Sequence, residues 1–272
     1  MKKIYLTYFL PLLLLIVFSC DSKDEPQNSP VVLNIDIYLS SDDELADFTA
    51  LNVNEVEGDL HIESMSITDL SDLESLEKVG GDLFIGFNEN LVSVKGLDNL
   101  KTIEGSFHIN GESPIVNLSG LENLETIGED FLIDIGYNVK TITGFNSLKE
   151  IGGNMRFYKN FSLVYLPNFT SLQSIGGNLD LYETYSLISV EGFQNLTTIG
   201  GDLIIKSCAN LFSLKGLDSI QQIVNLDVTY NKSLTDFCAL QRVEITGNTT
   251  IEFNTYNPSL EEIQNGGCAK GD

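Results

Sequence analysis

"IGGDLIIKSCANLFSLKGLDSI", residues 199–220, reads as a glycine turn, a short alternating strand and a second apolar run that ends on another isoleucine. The same phrase recurs upstream as "VEGDLHI" from Val56, "VGGDLFI" from Val79, "IEGSFHI" from Ile103 and "IGEDFLI" from Ile127, then as "IGGNMRF" from Ile151 and "IGGNLDL" from Ile175. Degenerate copies stand near Ile223 and Ile245, and the steps between copies are 23, then 24 six times, then 22. Each period also carries L-x-x-V/L-x-G-L/F-x-x-L, as in "LVSVKGLDNL" from Leu91 and "LISVEGFQNL" from Leu187. A fixed period of this length is the mark of a stacked repeat architecture.

One period places Leu83, Ile85, Leu91, Val94, Leu97, Leu100 and Ile103 inward. Burying seven such residues at roughly 2 kcal/mol apiece does not offset ordering a 24-residue unit at about 1–2 kcal/mol per residue. A single winding therefore cannot fold alone, and repetition is how the chain builds a core. In "GDLFIG" the alternation of Leu83 and Ile85 with Phe84 gives a short strand with one face in. Gly80, Gly81 and the following Asp82 supply a tight turn before it. Parallel strands stacked about 4.8 Å apart make about nine windings into a rod roughly 40 Å long.

This arrangement resembles two solenoid families. L-x-I-x-x-N/C-x-x-L, with Asn88, Asn160, Cys208, Asn231 and Asn254 at the N/C place, is close to the leucine-rich repeat signature. The I-x-G-x-L-x-I run before it is more similar to the receptor L domain, whose fold is a right-handed parallel β-helix found in the ligand-binding parts of growth-factor-receptor ectodomains. The resemblance covers about residues 50–255 and implies an all-β solenoid of nine 24-residue coils. It implies ligand binding in general and names no ligand, because such domains bind through surface residues that the pattern leaves free.

The first twenty residues are different material. "MKKIYLTYFLPLLLLIVFSC" has a basic start at Lys2 and Lys3 and then an apolar run too short and interrupted for a membrane span. Val17, Ser19 and Cys20 resemble the lipobox of bacterial lipoproteins, which implies cleavage after residue 19 and acylation of Cys20. Several acyl chains hold a protein on a bilayer far better than one. The following "DSKDEPQNSP", residues 21–30, reads as a flexible tether, and its acids resemble surface-export signals of outer-membrane lipoproteins. Display on the outer-membrane surface is the expectation, with a periplasmic facing as the alternative.

The expected organisation is a signal peptide at 1–19, an acylated tether at 20–30, an N-terminal cap at 31–55, the repeats at 56–240 and a C-terminal cap at 241–272. In the first cap "VVLNIDIYL" reads as one alternating edge strand, and "SSDDELADF" as a helix capped by Ser41. With Cys20 assigned to lipid, a Cys238–Cys268 disulfide is expected to close the C-terminal cap in an oxidising compartment. Cys208, in the Asn column, is expected to be an inert core thiol.

A net charge of −24 with 15 Lys and Arg excludes nucleic acid as a natural partner. His61 and His108 are expected outward, two coils apart, and no metal, cofactor or nucleophile motif accompanies them. Asp82, Asp130 and Asp202 recur at the turn, where their type has a structural explanation, although a calcium role is an alternative. The candidate binding face is the outward side of the strands. One column there is Phe84, His108, Leu132, Arg156, Asp180 and Ile204, and beside it run Gly86, Asn110, Asp134, Tyr158, Tyr182 and Lys206. Tyr137, Phe161 and Tyr185 make a loop column. Phe84, His108, Arg156, Tyr158, Tyr182 and Lys206 are the candidate contacts for a protein or glycan. The expected function is therefore a non-enzymatic, monomeric binding or adhesion module. A structural surface protein without a ligand and a carbohydrate-active β-helix enzyme stand as alternatives.

Overall fold

The computed structural model describes residues 30–110, 115, 118–135 and 139–271. The expected signal segment, Cys20, the tether up to residue 29 and Tyr137 lie outside the described residues. The chain is an all-β parallel solenoid, as the period implies. Its long sheet has ten strands in chain order: Ile37–Leu39, Leu60–Ile62, Leu83–Ile85, Phe107–Asn110, Phe131–Asp134, Met155–Tyr158, Leu179–Tyr182, Leu203–Lys206, Leu226–Thr229 and Thr249–Glu252. A shorter sheet of eight strands runs from Val31–Leu33 through Val53–Val56 to Thr198–Ile199 along a second corner. Isolated parallel bridges such as Thr141 to Tyr165 to Ser189 mark a third corner.

All seven inward positions of the repeat starting at Leu83 are fully buried, and their equivalents above and below form one continuous interior. Phenylalanines thicken its middle: Phe107, Phe131 and Phe157 meet at a tilt with 5.6 and 5.7 Å between centroids, and Phe145, Phe169 and Phe193 stack at 5.9 and 5.4 Å. Two side-chain ladders lock one winding to the next. At the turn, the side-chain oxygen of each residue from Asp36 to Asn225 in the series Asp36, Asp59, Asp82, Ser106, Asp130, Asn154, Asn178, Asp202 and Asn225 accepts the backbone amide of its counterpart in the next winding, at 2.7–3.3 Å. Inside the core, Asn88, Asn160 and Asn231 are buried and satisfy both the amide of the preceding winding and a strand carbonyl. Asn257 ends this second ladder by accepting the Asn254 amide at 2.9 Å, in the place of a next winding.

The turn glycines have a different cause from the one expected. Their φ values are not left-handed; instead a Cβ on Gly176 would lie 2.1 Å from the carbonyl oxygen of Gly152, and one on Gly177 would lie 2.5 Å from Asn154 Oδ1. Close approach of successive windings, not backbone freedom, selects glycine there. The first winding differs from the expectation for the same reason. "LNIDIYL" is not one edge strand but a further copy of the repeat, with Leu33 paired to Val56 in the short sheet and Ile37 to Leu60 in the long one. It carries Ile35 where Gly58 stands in the next winding, because no earlier winding presses on it.

The ends are closed by helices. Helix α1, Asp42–Ala50, has Ser41 as N-cap with its hydroxyl accepting the Glu44 amide, acids in the first turn, and Leu45 and Phe48 buried. It packs against Ile37–Leu39 and the Ser71–Leu73 turn. At the other end Cys238 and Cys268 form the expected disulfide. Phe237 N–H donates to Cys268 O at 2.8 Å, and helix α2, Leu260–Gln264, opens on a Ser259–Glu262 capping box and buries Ile263. Among the described residues no helix is long and apolar enough to cross a membrane.

Candidate ligand-binding face

The outward columns fall in register. Phe84 pairs with His108, His108 with Leu132, Leu132 with Arg156, Arg156 with Asp180 and Asp180 with Ile204. The column begins earlier than expected, since Tyr38 and His61 precede Phe84. Tyr38 and His61 stack at 4.6 Å, His61 and Phe84 lie 5.8 Å apart, and His108 meets Phe84 edge-on at 5.0 Å. Four rings thus line one end of the face. In the second column Tyr158 and Tyr182 stack at 5.4 Å with 18° between planes, and the Lys159 ammonium sits 4.7 Å from the Tyr158 centroid. The loop rings Phe161 and Tyr185 stack likewise at 5.3 Å.

The six expected contacts do not form one cluster. His108, Arg156 and Tyr158 meet around a cavity of about 200 Å³, together with Leu132, Ile133 and Asp134. Leu132 is the short side chain between two long ones in its column, and Asp134 the short one before Tyr158, so the depression arises where both columns dip. Phe84 flanks His108 outside this cavity, and Tyr182 backs Tyr158. Lys206 is separated from it, held at 2.6 Å by Asp227.

Burial sets the protonation around the depression. His108 is half-buried, and loss of water lowers its pKa below the usual imidazole value despite the pull of Asp134. Asp134 shifts upward, again chiefly by burial, with His108 and Lys159 opposing. Asp180 is raised by burial although Arg156 Nε donates to its Oδ2 at 3.0 Å; its Oδ1 is buried and has no hydrogen-bond partner among the described residues.

Elsewhere lysines are tied across windings to acids, as in Lys101–Glu77 at 2.9 Å, Lys215–Glu191 at 2.8 Å and Lys78 between Glu55 and Glu104 at 2.8 Å each. The turn acids Asp82, Asp130 and Asp202 are engaged in the amide ladder. Among the described residues no group of three or more His, Cys, Asp or Glu is placed to hold a metal ion. Cys208 is fully buried, and burial pushes its thiol pKa up to about 12.

Two features escaped the sequence reading. Residues just before the Asn column adopt left-handed φ values: Phe87 at 53°, Lys159 at 55°, Glu183 at 53°, Ser207 at 57°, Tyr230 at 62° and Phe253 at 59°. The position before each Asn column member is the signal that would have found them. It throws Tyr230 and Phe253 outward as an exposed stack at 4.7 Å. Second, the winding at Ile223 has one residue fewer in its turn, "IVNL" against "IGGDL". There the short sheet breaks, with Gln222–Ile223 and Glu244–Ile245 forming a separate pair. A cavity of about 270 Å³ at the break is lined by Thr197, Thr198, Gln221, Gln222 and Thr246 among others.

Residues 52–116 match the family model described as Receptor L domain. With the parallel sheets and stacked windings, this makes the chain a receptor L-domain-like solenoid. No curated protein matches the chain.

Proposed function

We propose that the protein is a non-enzymatic ligand-binding module that works through the outward face of its long sheet. Receptor L domains are ligand-binding modules, and the match over residues 52–116 supports carrying that general role to this chain. The observation that carries the reading is the uneven face itself. Inward positions repeat the same apolar types, whereas the column from Tyr38 to Ile204 changes from rings to an aliphatic floor to an ion pair, around a depression that combines polar and apolar walls. A surface that only had to be solvated would need neither the ring cluster nor the depression.

In this reading Cys20 carries the acyl anchor, residues 21–30 form the tether, and the solenoid is displayed at the outer-membrane surface as a monomeric adhesion or receptor module. The lipobox-like Val17–Cys20 stretch supports the anchor. Labelled palmitate should enter the full chain and be lost from Cys20→Ser. Binding to whole cells and to glycan arrays should fall when Tyr158 and Tyr182 are both changed to alanine. Binding that stays unchanged in that double variant removes the proposed face.

A further inference from the structure

We infer that the depression over Leu132 is a subsite for one acidic sugar ring, a uronate or similar carboxylated pyranose, within the binding face proposed above. The inference rests on that reading and deepens it. At about 200 Å³ the cavity lies below the usual range for drug-sized ligands, so it admits a single ring or one side chain. Its groups then decide which. The floor is Leu132 and one wall is the Tyr158 ring, held by Tyr182 on its neighbouring winding. These suit the C–H face of a pyranose, which packs on aromatic and aliphatic surface.

The polar rim is of mixed charge. Arg156 is one of only two arginines in the chain. Its Nε is spent on Asp180, while its terminal amines have no hydrogen-bond partner among the described residues. Those amines form the planar fork that suits a carboxylate. Asp134 lines the same cavity and is an acceptor that needs hydroxyl donors. His108 is held neutral at pH 7 by its lowered pKa and offers one donor and one acceptor.

The other occupants fail on this rim. An apolar side chain would cover the Asp134 carboxylate and give it no donor, which is costly. A bare anion would satisfy Arg156 and face Asp134 at the same time. A cation would reverse the conflict. A ring bearing both a carboxylate and vicinal hydroxyls satisfies all three groups at once.

The test uses the full chain, with glucuronate and glucose as probes in saturation-transfer NMR and calorimetry. Glucuronate is expected to bind more tightly than glucose by about tenfold, since the site holds a group that only the acid satisfies. Arg156→Gln should erase that preference, Arg242→Gln should keep it, and Asp134→Asn should weaken both sugars. Equal binding of the two sugars, or a preference that survives Arg156→Gln, overturns the inference. So does binding lost in Gln222→Ala, which places the ligand at the sheet break instead. If neither sugar binds while whole-cell binding still depends on Tyr158 and Tyr182, the sugar subsite is refuted and the binding face stands.

Discussion

Cys208 occupies a column that asparagine fills at 88, 160, 231 and 254, and changing it to asparagine is expected to stabilise the protein. Asn88 Nδ2 donates to Ile62 O and Gly86 O, both at 2.8 Å, and its Oδ1 accepts the Ser64 amide at 2.8 Å. The equivalent groups around Cys208 are all present. Its Sγ lies 3.6 Å from Leu181 O and 3.7 Å from Lys206 O, and the Thr184 amide donates toward the sulfur. The slack of nearly an ångström is the room that an amide nitrogen needs. Three sulfur contacts would become three amide hydrogen bonds, each worth about 0.5–1.5 kcal/mol net. Subtracting the weak bonds already made and the cost of a larger polar group leaves a gain of about 1–2 kcal/mol. At about 2–4 °C per kcal/mol for a chain of this size, the melting temperature should rise by about 2–8 °C. Far-UV circular dichroism on heating measures it, with Cys208→Ala as a reference that should melt below the parent. An unchanged or lower melting temperature for Cys208→Asn would refute the ladder's energetic role at this site.

Asn231→Ala should cost about 2–6 kcal/mol in denaturant unfolding, because it strips the buried Cys208 amide and Ile205 carbonyl of their partners. A loss under about 1 kcal/mol would mean that those groups find other partners. Gly176→Ala should destabilise strongly, since its Cβ would lie 2.1 Å from Gly152 O, whereas Gly271→Ala, with nothing within 4 Å, should melt as the parent does. Removing the Cys238–Cys268 disulfide, whose ends are 30 residues apart, should cost ~3.6 kcal/mol by the chain-entropy estimate. Within the solenoid, limited proteolysis should then begin at the C-terminal cap; a first cut inside the repeats counts against that cap. His108 has a folded pKa below its unfolded value, so the folded state disfavours its proton. Its contribution is intact above pH ~6.5 and is lost as pH falls from there through the folded pKa. Asp134 and Asp180 shift upward and act in the opposite sense at lower pH. The measurement is therefore the difference between the parent and His108→Gln across pH 5–8, which should narrow toward acid and would stay flat if His108 were effectively solvated.

The interior was legible because it obeys a period. Leu83 to Ile103 declare their burial by type and spacing, and stacked copies leave them no other place. What escaped depends on contacts between windings. Ile35 hid the first copy because glycine at that turn is imposed by the preceding winding, which the first copy lacks. The outward columns could be aligned from the period, yet the depression could not be seen. It exists because Leu132 is short beside His108 and Arg156, and Asp134 short beside Tyr158, so it is a property of neighbours about 24 positions apart. By period alone Lys206 belongs to the same column as Tyr158 and Tyr182, and only its tie to Asp227 shows that it is otherwise engaged.

The fold is an unbroken stack that lines up residues one winding apart along a single outward column. Pairs of spin labels on that column, with Phe84 as the fixed member and Ile204 or Thr250 as the second, measure it by pulsed electron resonance. Five and seven windings separate these pairs, so backbone separations of about 24 and 34 Å are expected, growing by about 4.8 Å per winding. Equal distances for the two pairs, or a second distance shorter than the first, would contradict the stack.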